Sequence, residues 1–140
     1  MVFDLDDELC ALEFDVGDAA FNRVWHDQHV TWTIRERLGV ILSGIGRALP
    51  DDVFDRLVID HEEMELRVAP DPIEGVGEAL EEISKRFKLP VVSDAIVSPG
   101  RCLRQWLAMH DLERYFSGFA FSDEVGRSKP HRDMFARSEE

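Results

Sequence analysis

Met1-Val2-Phe3-Asp4-Leu5-Asp6-Asp7-Glu8-Leu9 opens the chain, and three apolar residues there run straight into a cluster of carboxylates. The apolar trio suits a short buried strand. Side chains two apart in an extended backbone point the same way, so Asp4 and Asp6 face one pocket at the strand's end. Two like charges that close repel unless a cation, a proton or a basic side chain sits between them. The pair therefore asks for Mg²⁺, for a perturbed pKa, or for both. With 29 Asp and Glu in 140 residues, a solvated acidic turn explains the same pattern when it is read alone. The rest of the chain has to decide.

Working outward, the second half repeats the theme of a strand that ends in polar residues. Leu89-Pro90-Val91-Val92 is a short β-rich run that closes at Ser93-Asp94-Ala95, and Phe119-Ala120-Phe121 is a second. Between and around them lie helical patterns. Ala69-Pro70-Asp71-Pro72 places Asp71 as N-cap, Pro72 as first helical residue and Glu74 as a capping-box partner. Ile73, Val76, Leu80, Ile83 and Phe87 follow as a buried face. Ser98 and Pro99 start another helix, with Leu103, Trp106, Leu107 and His110 on one side. Ser122 to Lys129 reads as a loop, and Pro130 opens a last helix. Strands separated by helices of this length imply crossover connections and a parallel sheet, whose ligands bind at the carboxyl ends of the strands. Asp4, Asp6, Ser93 and the loop leading to Lys129 all fall at such ends.

Between the first strand and the later ones, the chain reads as helices from Asp15 to Arg67. A short helix is expected around Asp18 to His29. Ile34, Leu38, Ile41, Leu42, Ile45 and Leu49 make one apolar helical face, weakened by Gly39, Gly44 and Gly46 and ended by Pro50. Asp51 or Asp52 can cap the next helix, which carries Phe54, Leu57, Val58 and His61 on one side. His26, His29 and His61 fit helix-surface or half-buried positions better than ligands, and Trp25 and Trp32 fit packing.

Composition narrows the function. A hydrophobic content of 44% is ordinary for a globular domain, and 140 residues suit one core with a modest insertion. The net charge of -13 argues against nucleic acid and against an anionic membrane surface. A phosphate-bearing substrate would need a local cation. Cys10 and Cys102 lack metal-site spacing and read as reduced thiols of a cytoplasmic protein, and no leader or membrane span is apparent.

With these placements the chain resembles the haloacid dehalogenase (HAD) superfamily of phosphatases. Phe3-Asp4-Leu5-Asp6-Asp7 looks like its first motif, Val91-Val92-Ser93-Asp94 its second, and Gly126-Arg127-Ser128-Lys129-Pro130-His131 its third. The resemblance implies an α/β fold: a three-layer Rossmann-like parallel sheet, incomplete at its C-terminal side, with an inserted helical cap. The core would comprise residues 1–13 and 70–140, and the cap 14–69. It further implies Asp4 as nucleophile, Asp6 as acid and then base, and Lys129 as the cation beside them. Ser93 and the Asp94 backbone N–H would hold phosphate oxygens. Mg²⁺ would sit on the Asp4 carboxylate and the Asp6 carbonyl. Dehalogenating relatives typically lack an acid at the second aspartate, so Asp6 favours hydrolysis of a small phosphorylated metabolite.

Three departures stand beside the resemblance. Glu8 occupies a position where the family has Thr or Val, and only Met1-Val2-Phe3 precede Asp4. The family's acidic fourth motif is expected after the helix near Pro130, whereas the sequence stops at Ser138-Glu139-Glu140. Either the sequence is a fragment of a longer enzyme, or a partner such as a second copy covers an open sheet edge. The alternative to a working phosphatase is a catalytically impaired HAD fold that serves binding or assembly.

Overall fold

The computed structural model of the protein describes residues 7–138, with side chains from Asp15 to Ser138. The expected first strand, Asp4 and Asp6 lie outside the described residues. A helical part comes first: α1 (Asp7–Gln28), α2 (Ile34–Gly44), α3 (Asp51–Glu62) and the single turn α4 (Met64–Arg67). An alternating part follows: α5 (Val76–Ser84), β1 (Pro90–Ser93), α6 (Gly100–Met109), a 3-10 turn at Glu113–Tyr115, β2 (Gly118–Phe121), α7 (Ser122–Val125) and α8 (Arg132–Ser138). No helix among the described residues is long and apolar enough to cross a membrane.

The helical part begins with one long helix where a shorter one is expected, because nothing in Asp7–Gln28 breaks the helical hydrogen bonding until His29. Its side chain Phe21 is buried and tilts against Trp32 at 6.3 Å between ring centroids. Arg37 of α2 lies over the Phe21 ring at 4.8 Å and pairs with Asp18 of α1 at 2.5 Å. Helix α2 starts with a capping box. The Thr33 N–H donates to Glu36 Oε2 at 2.7 Å, and Thr33 Oγ1 accepts from the Glu36 N–H at 3.3 Å. The apolar periodicity expected to run on to Leu49 stops as helix at Gly44, where the glycines remove helical preference. Pro50 is the N-cap of α3, and Asp51 and Asp52 lie within its first turn, where their charges favour the helix's positive end without capping it. Ile34, Leu38 and Val58 form a small core with Phe54 and Leu57 packed against it. Val97, from the loop that follows β1, joins the same cluster, so the helices sit on the alternating part.

In the alternating part, β1 and β2 pair in parallel with Ser93 opposite Phe121. This two-stranded pairing is the sheet found among the described residues, short of the three layers expected. Helix α6 makes the crossover and α8 packs on both strands. Phe121, Ala120, Cys102 and Met134 are at most 1% exposed and form the centre. The run Val91-Val92 and the aromatic-rich Gly118–Phe121 supply β-branched and ring side chains that suit a buried pleated surface.

The start of α5 corrects the sequence reading. It begins at Val76, after Gly75 in a left-handed conformation (φ 78°), and no Asp71 cap is formed. A left-handed residue reverses the chain locally, which glycine tolerates and which interrupts any helix begun at Pro72. None of the expected apolar face is buried: Ile73 is 83% exposed and Phe87 65%. Amphipathic spacing marks a face that can be buried, but burial also needs a surface opposite. Likewise the expected loop from Ser122 opens with the short helix α7, and the last helix starts at Arg132, two residues past Pro130.

Met134 has no exposed surface and joins α8 to the strands. Met134→Ala is expected to lower the unfolding free energy by about 2–5 kcal/mol, because it leaves a cavity between packed elements. Urea denaturation followed by circular dichroism measures it, and a change below about 1 kcal/mol would show that this centre collapses around the lost side chain.

Candidate functional site

At the carboxyl end of a parallel pair, each strand leaves backbone groups that the ladder no longer satisfies. Here one side chain takes up such a group, and two more satisfy backbone N–H groups of the neighbouring helix start and loop. Ser122, 1% exposed, accepts a hydrogen bond from the Ala95 N–H at 2.9 Å and so ties the exit of β1 to that of β2. Asp123 accepts from the Gly100 N–H, at 3.2 Å to Oδ1 and 3.1 Å to Oδ2. That bond caps α6, whose own N-cap Pro99 offers no side-chain acceptor. Asp94, just past β1, accepts from the Lys129 N–H at 2.8 Å through Oδ1.

The loop carrying Lys129 is held on its other side by the helical part. Gly126 turns the chain out of α7 with a φ of 75°. Ser128 is fully buried; its N–H donates to the His29 carbonyl at 2.7 Å, and its Oγ lies 2.5 Å from Thr31 Oγ1. The Arg127 guanidinium reaches the Gln28 carbonyl at 3.5 Å. The peptide from Lys129 to Pro130 is cis. Lys129 itself is exposed, while Ser93 and Asp94 are half-buried.

Beneath these loops, Gly100 packs directly on Phe121. A Cβ there would fall 2.6 Å from Phe121 Cδ2 and 2.6 Å from Glu124 Oε1, so any side chain would push the α6 terminus off β2. Arg104 of α6 lies over Phe121 at 4.8 Å and over Phe119 at 5.2 Å, and grips the Glu124 carboxylate with both terminal nitrogens, one of them at 2.8 Å. The Arg104 hydrogen bond holds the Glu124 carboxyl below its ordinary value. Burial pushes the neighbouring Asp123 carboxyl up, against the opposing pull of the Gly100 N–H. Burial likewise raises the thiol of Cys102, a free cysteine 1% exposed, which suits packing better than nucleophilic chemistry.

The sequence-derived candidates divide accordingly. Ser93, Asp94 and Lys129 come together at one strand end, with the Asp94 carboxylate engaged on the lysine loop. Asp4 and Asp6 lie outside the described residues. The His61 Nδ1–H donates to the Leu57 carbonyl at 2.9 Å, one turn back on its own helix. Among the described residues no group of three or more His, Cys, Asp or Glu side chains is arranged to hold a metal. Ser122, Asp123, Ser128 and Thr31 are the residues that sequence reasoning missed as organisers of the site. Ser128 lies within the third motif, which is a signal; Thr31 has none, since its partner is 97 residues away.

The Glu124 pair carries a pH dependence whose sign is fixed. Its carboxyl is easier to ionise folded than unfolded, so it adds stability above its ordinary pKa of 4.5 and loses it as pH falls through the lower folded value. Replacing the residue, Glu124→Gln, is expected to shrink the stability difference between about pH 6 and about pH 3 relative to the parent, read by denaturation at both values. An unchanged difference would mean that solvent screens the pair completely.

Residues 1–138 match the family model described as haloacid dehalogenase-like hydrolase. No curated protein and no solved structure matches the chain. The matched span takes in the opening acidic stretch, the Ser93 strand end and the lysine loop, and the family's fold is a Rossmann-like α/β one. Nearly the whole sequence is covered, and on that ground the chain belongs to the haloacid dehalogenase-like hydrolases.

Proposed function

We propose that the protein hydrolyses a small organic phosphate through an aspartyl-phosphate, with Asp4, Asp6, Ser93, Asp94 and Lys129 as its working residues. The observation that carries this reading is the bond from the Lys129 N–H to the Asp94 carboxylate, which brings the lysine loop to the strand end beside Ser93. In a chain of net charge -13, a lysine whose backbone is held there supplies the cation that allows an anionic substrate to approach a carboxylate.

The chemistry follows from what phosphoryl transfer needs, namely positioning and neutralisation of charge. An Asp4 carboxylate oxygen attacks phosphorus, and the bond from phosphorus to the leaving oxygen breaks as that oxygen takes the Asp6 proton. Asp6, now ionised, takes a proton from water as the water attacks the phosphorus of the aspartyl-phosphate; the Asp4 carboxylate and inorganic phosphate are released. The Ser93 hydroxyl and the Asp94 N–H hold non-bridging oxygens. Enzymes of this family generally use Mg²⁺. The Asp94 carboxylate at the strand end is an oxygen donor of the kind the ion takes but is engaged on the Lys129 N–H, so the ion's hold would depend on the Asp4 carboxylate and the Asp6 carbonyl. Bound there, the ion would neutralise phosphate charge.

In this reading residues 1–13 and 70–140 form a three-layer core, and the helices within 14–69 act as a cap that selects a small substrate. The contacts of Val97 with the α2–α3 cluster, and of Arg101 with Glu62 at 2.8 Å and Glu63 at 3.1 Å, support a cap seated beside the strand ends. A second reading, assembly without turnover, is favoured by one observation: the apolar side of α5 around Ile83 and Phe87 is exposed and could meet a second copy.

Hydrolysis of an aryl phosphate is expected to need Mg²⁺, to fall at least about 1000-fold in Asp4→Asn, and to fall about 100-fold or more in Lys129→Ala. Steady-state release of the phenolate measures all three. A folded sample without Asp4-dependent turnover, sedimenting as a dimer, would favour assembly instead.

A further inference from the structure

Thr31 and Ser128 form a joint between parts of the chain that the sequence keeps far apart, and the joint sits one residue from Lys129. Both residues are buried, at 7% and 0% exposure, and their hydroxyl oxygens are 2.5 Å apart. A buried hydroxyl without a partner is costly, so each holds the other in place. The joint has a second bond, from the Ser128 N–H to the His29 carbonyl at 2.7 Å. Its base is firm: Thr33 begins α2 with a capping box, and the next residue, Ile34, belongs to the core of the helical part. On the far side, the Lys129 N–H is fixed on Asp94 at 2.8 Å. The lysine backbone is thus clamped between the end of β1 and the start of α2.

We infer that Thr31 is a positioning residue for Lys129, acting through the Ser128 hydroxyl and setting from the helical part where the lysine charge stands. This assignment depends on the phosphatase reading for its consequence in turnover, while the clamp itself is a property of the fold. Charge stabilisation falls with distance, and a displacement of about 1 Å at a reacting group can cost about 100-fold in rate. Thr31 touches no reacting atom. Its effect passes through two neighbouring peptide groups, both of which carry hydrogen bonds that report on the clamp.

The test compares Thr31→Val, which keeps the shape and removes the hydroxyl, with Thr31→Ser, which keeps the hydroxyl. Ser128→Ala breaks the same bond from the other side and stands in should Thr31→Val not fold. Leu112→Ala is the control, since it removes a buried side chain between α6 and the turn that precedes β2, at the opposite end of the strands from the lysine loop. Amide hydrogen exchange of the full chain is followed at Ser128 and Lys129, and at Phe121 for comparison. Thr31→Val and Ser128→Ala are expected to speed exchange at Ser128 and Lys129 by about tenfold or more while Phe121 is unchanged. Thr31→Ser should restore the parent rates.

In the same samples, kcat for the aryl phosphate should fall about 10- to 100-fold in Thr31→Val. Thr31→Ser should stay within about threefold, and Leu112→Ala should lower Tm without changing kcat. Unchanged exchange at Ser128 and Lys129 in the folded variants would overturn the clamp, whatever the activity. Exchange and kcat that merely follow Tm across all four variants would reduce Thr31 to a structural residue and overturn the proposal equally. A parent protein without Asp4-dependent turnover would sink the phosphatase reading and the role of Thr31 in it, and exchange would then judge the clamp alone.

Discussion

Where two parallel strands stop, their last peptide groups must find partners outside the ladder, and that requirement shapes everything around Ser93 and Phe121. Ser122 meets it for Ala95, while Asp123 satisfies the first turn of α6 and Asp94 the lysine loop, neighbouring backbone groups that need partners for the same reason. Each bond joins segments at least 23 residues apart, so the strand end is also where the chain is stitched together. Gly100 allows the stitch to be tight, because its missing side chain lets α6 rest on Phe121. The lysine loop at this edge takes its anchorage from the same kind of bonds that hold the fold together.

Charge adds a second constraint. A chain at -13 repels phosphate over most of its surface. Its arginines are largely committed to local carboxylates: Arg104 to Glu124, Arg101 to Glu62 and Glu63, Arg67 to Asp60. Lys129 has its backbone secured while its side chain stays exposed. The acidic background makes the placement of that one ammonium matter more than it would on a neutral surface.

Family membership and local geometry speak to different questions. The match over residues 1–138 establishes the family and implies the Rossmann-like α/β fold that goes with it. The strand-end bonds show how this particular sequence holds the Ser93-Asp94 stretch and the lysine loop together. The helical part is bound to them by an apolar contact through Val97 and by polar ones through Ser128 and Arg101, a mixture typical of a seated but separable layer.

By itself the sequence determined the local elements: β1 and β2 from their β-branched and aromatic runs, α3 and α6 from their periodic apolar faces, and the meeting of Ser93, Asp94 and Lys129 from the rule that strand ends gather ligands. The elements are legible because they depend on residues within a turn or a strand of one another, and the meeting because the strand-end rule holds whatever the separation in sequence. Tertiary structure alone decided which apolar faces are covered, leaving Ile83 and Phe87 in solvent despite perfect spacing. It overrode the Asp71-Pro72 start signal through a left-handed Gly75. It also paired Thr31 with Ser128 across 97 residues. Burial and long-range hydrogen bonds depend on what lies opposite, and a periodicity read along one chain carries no record of the opposing surface.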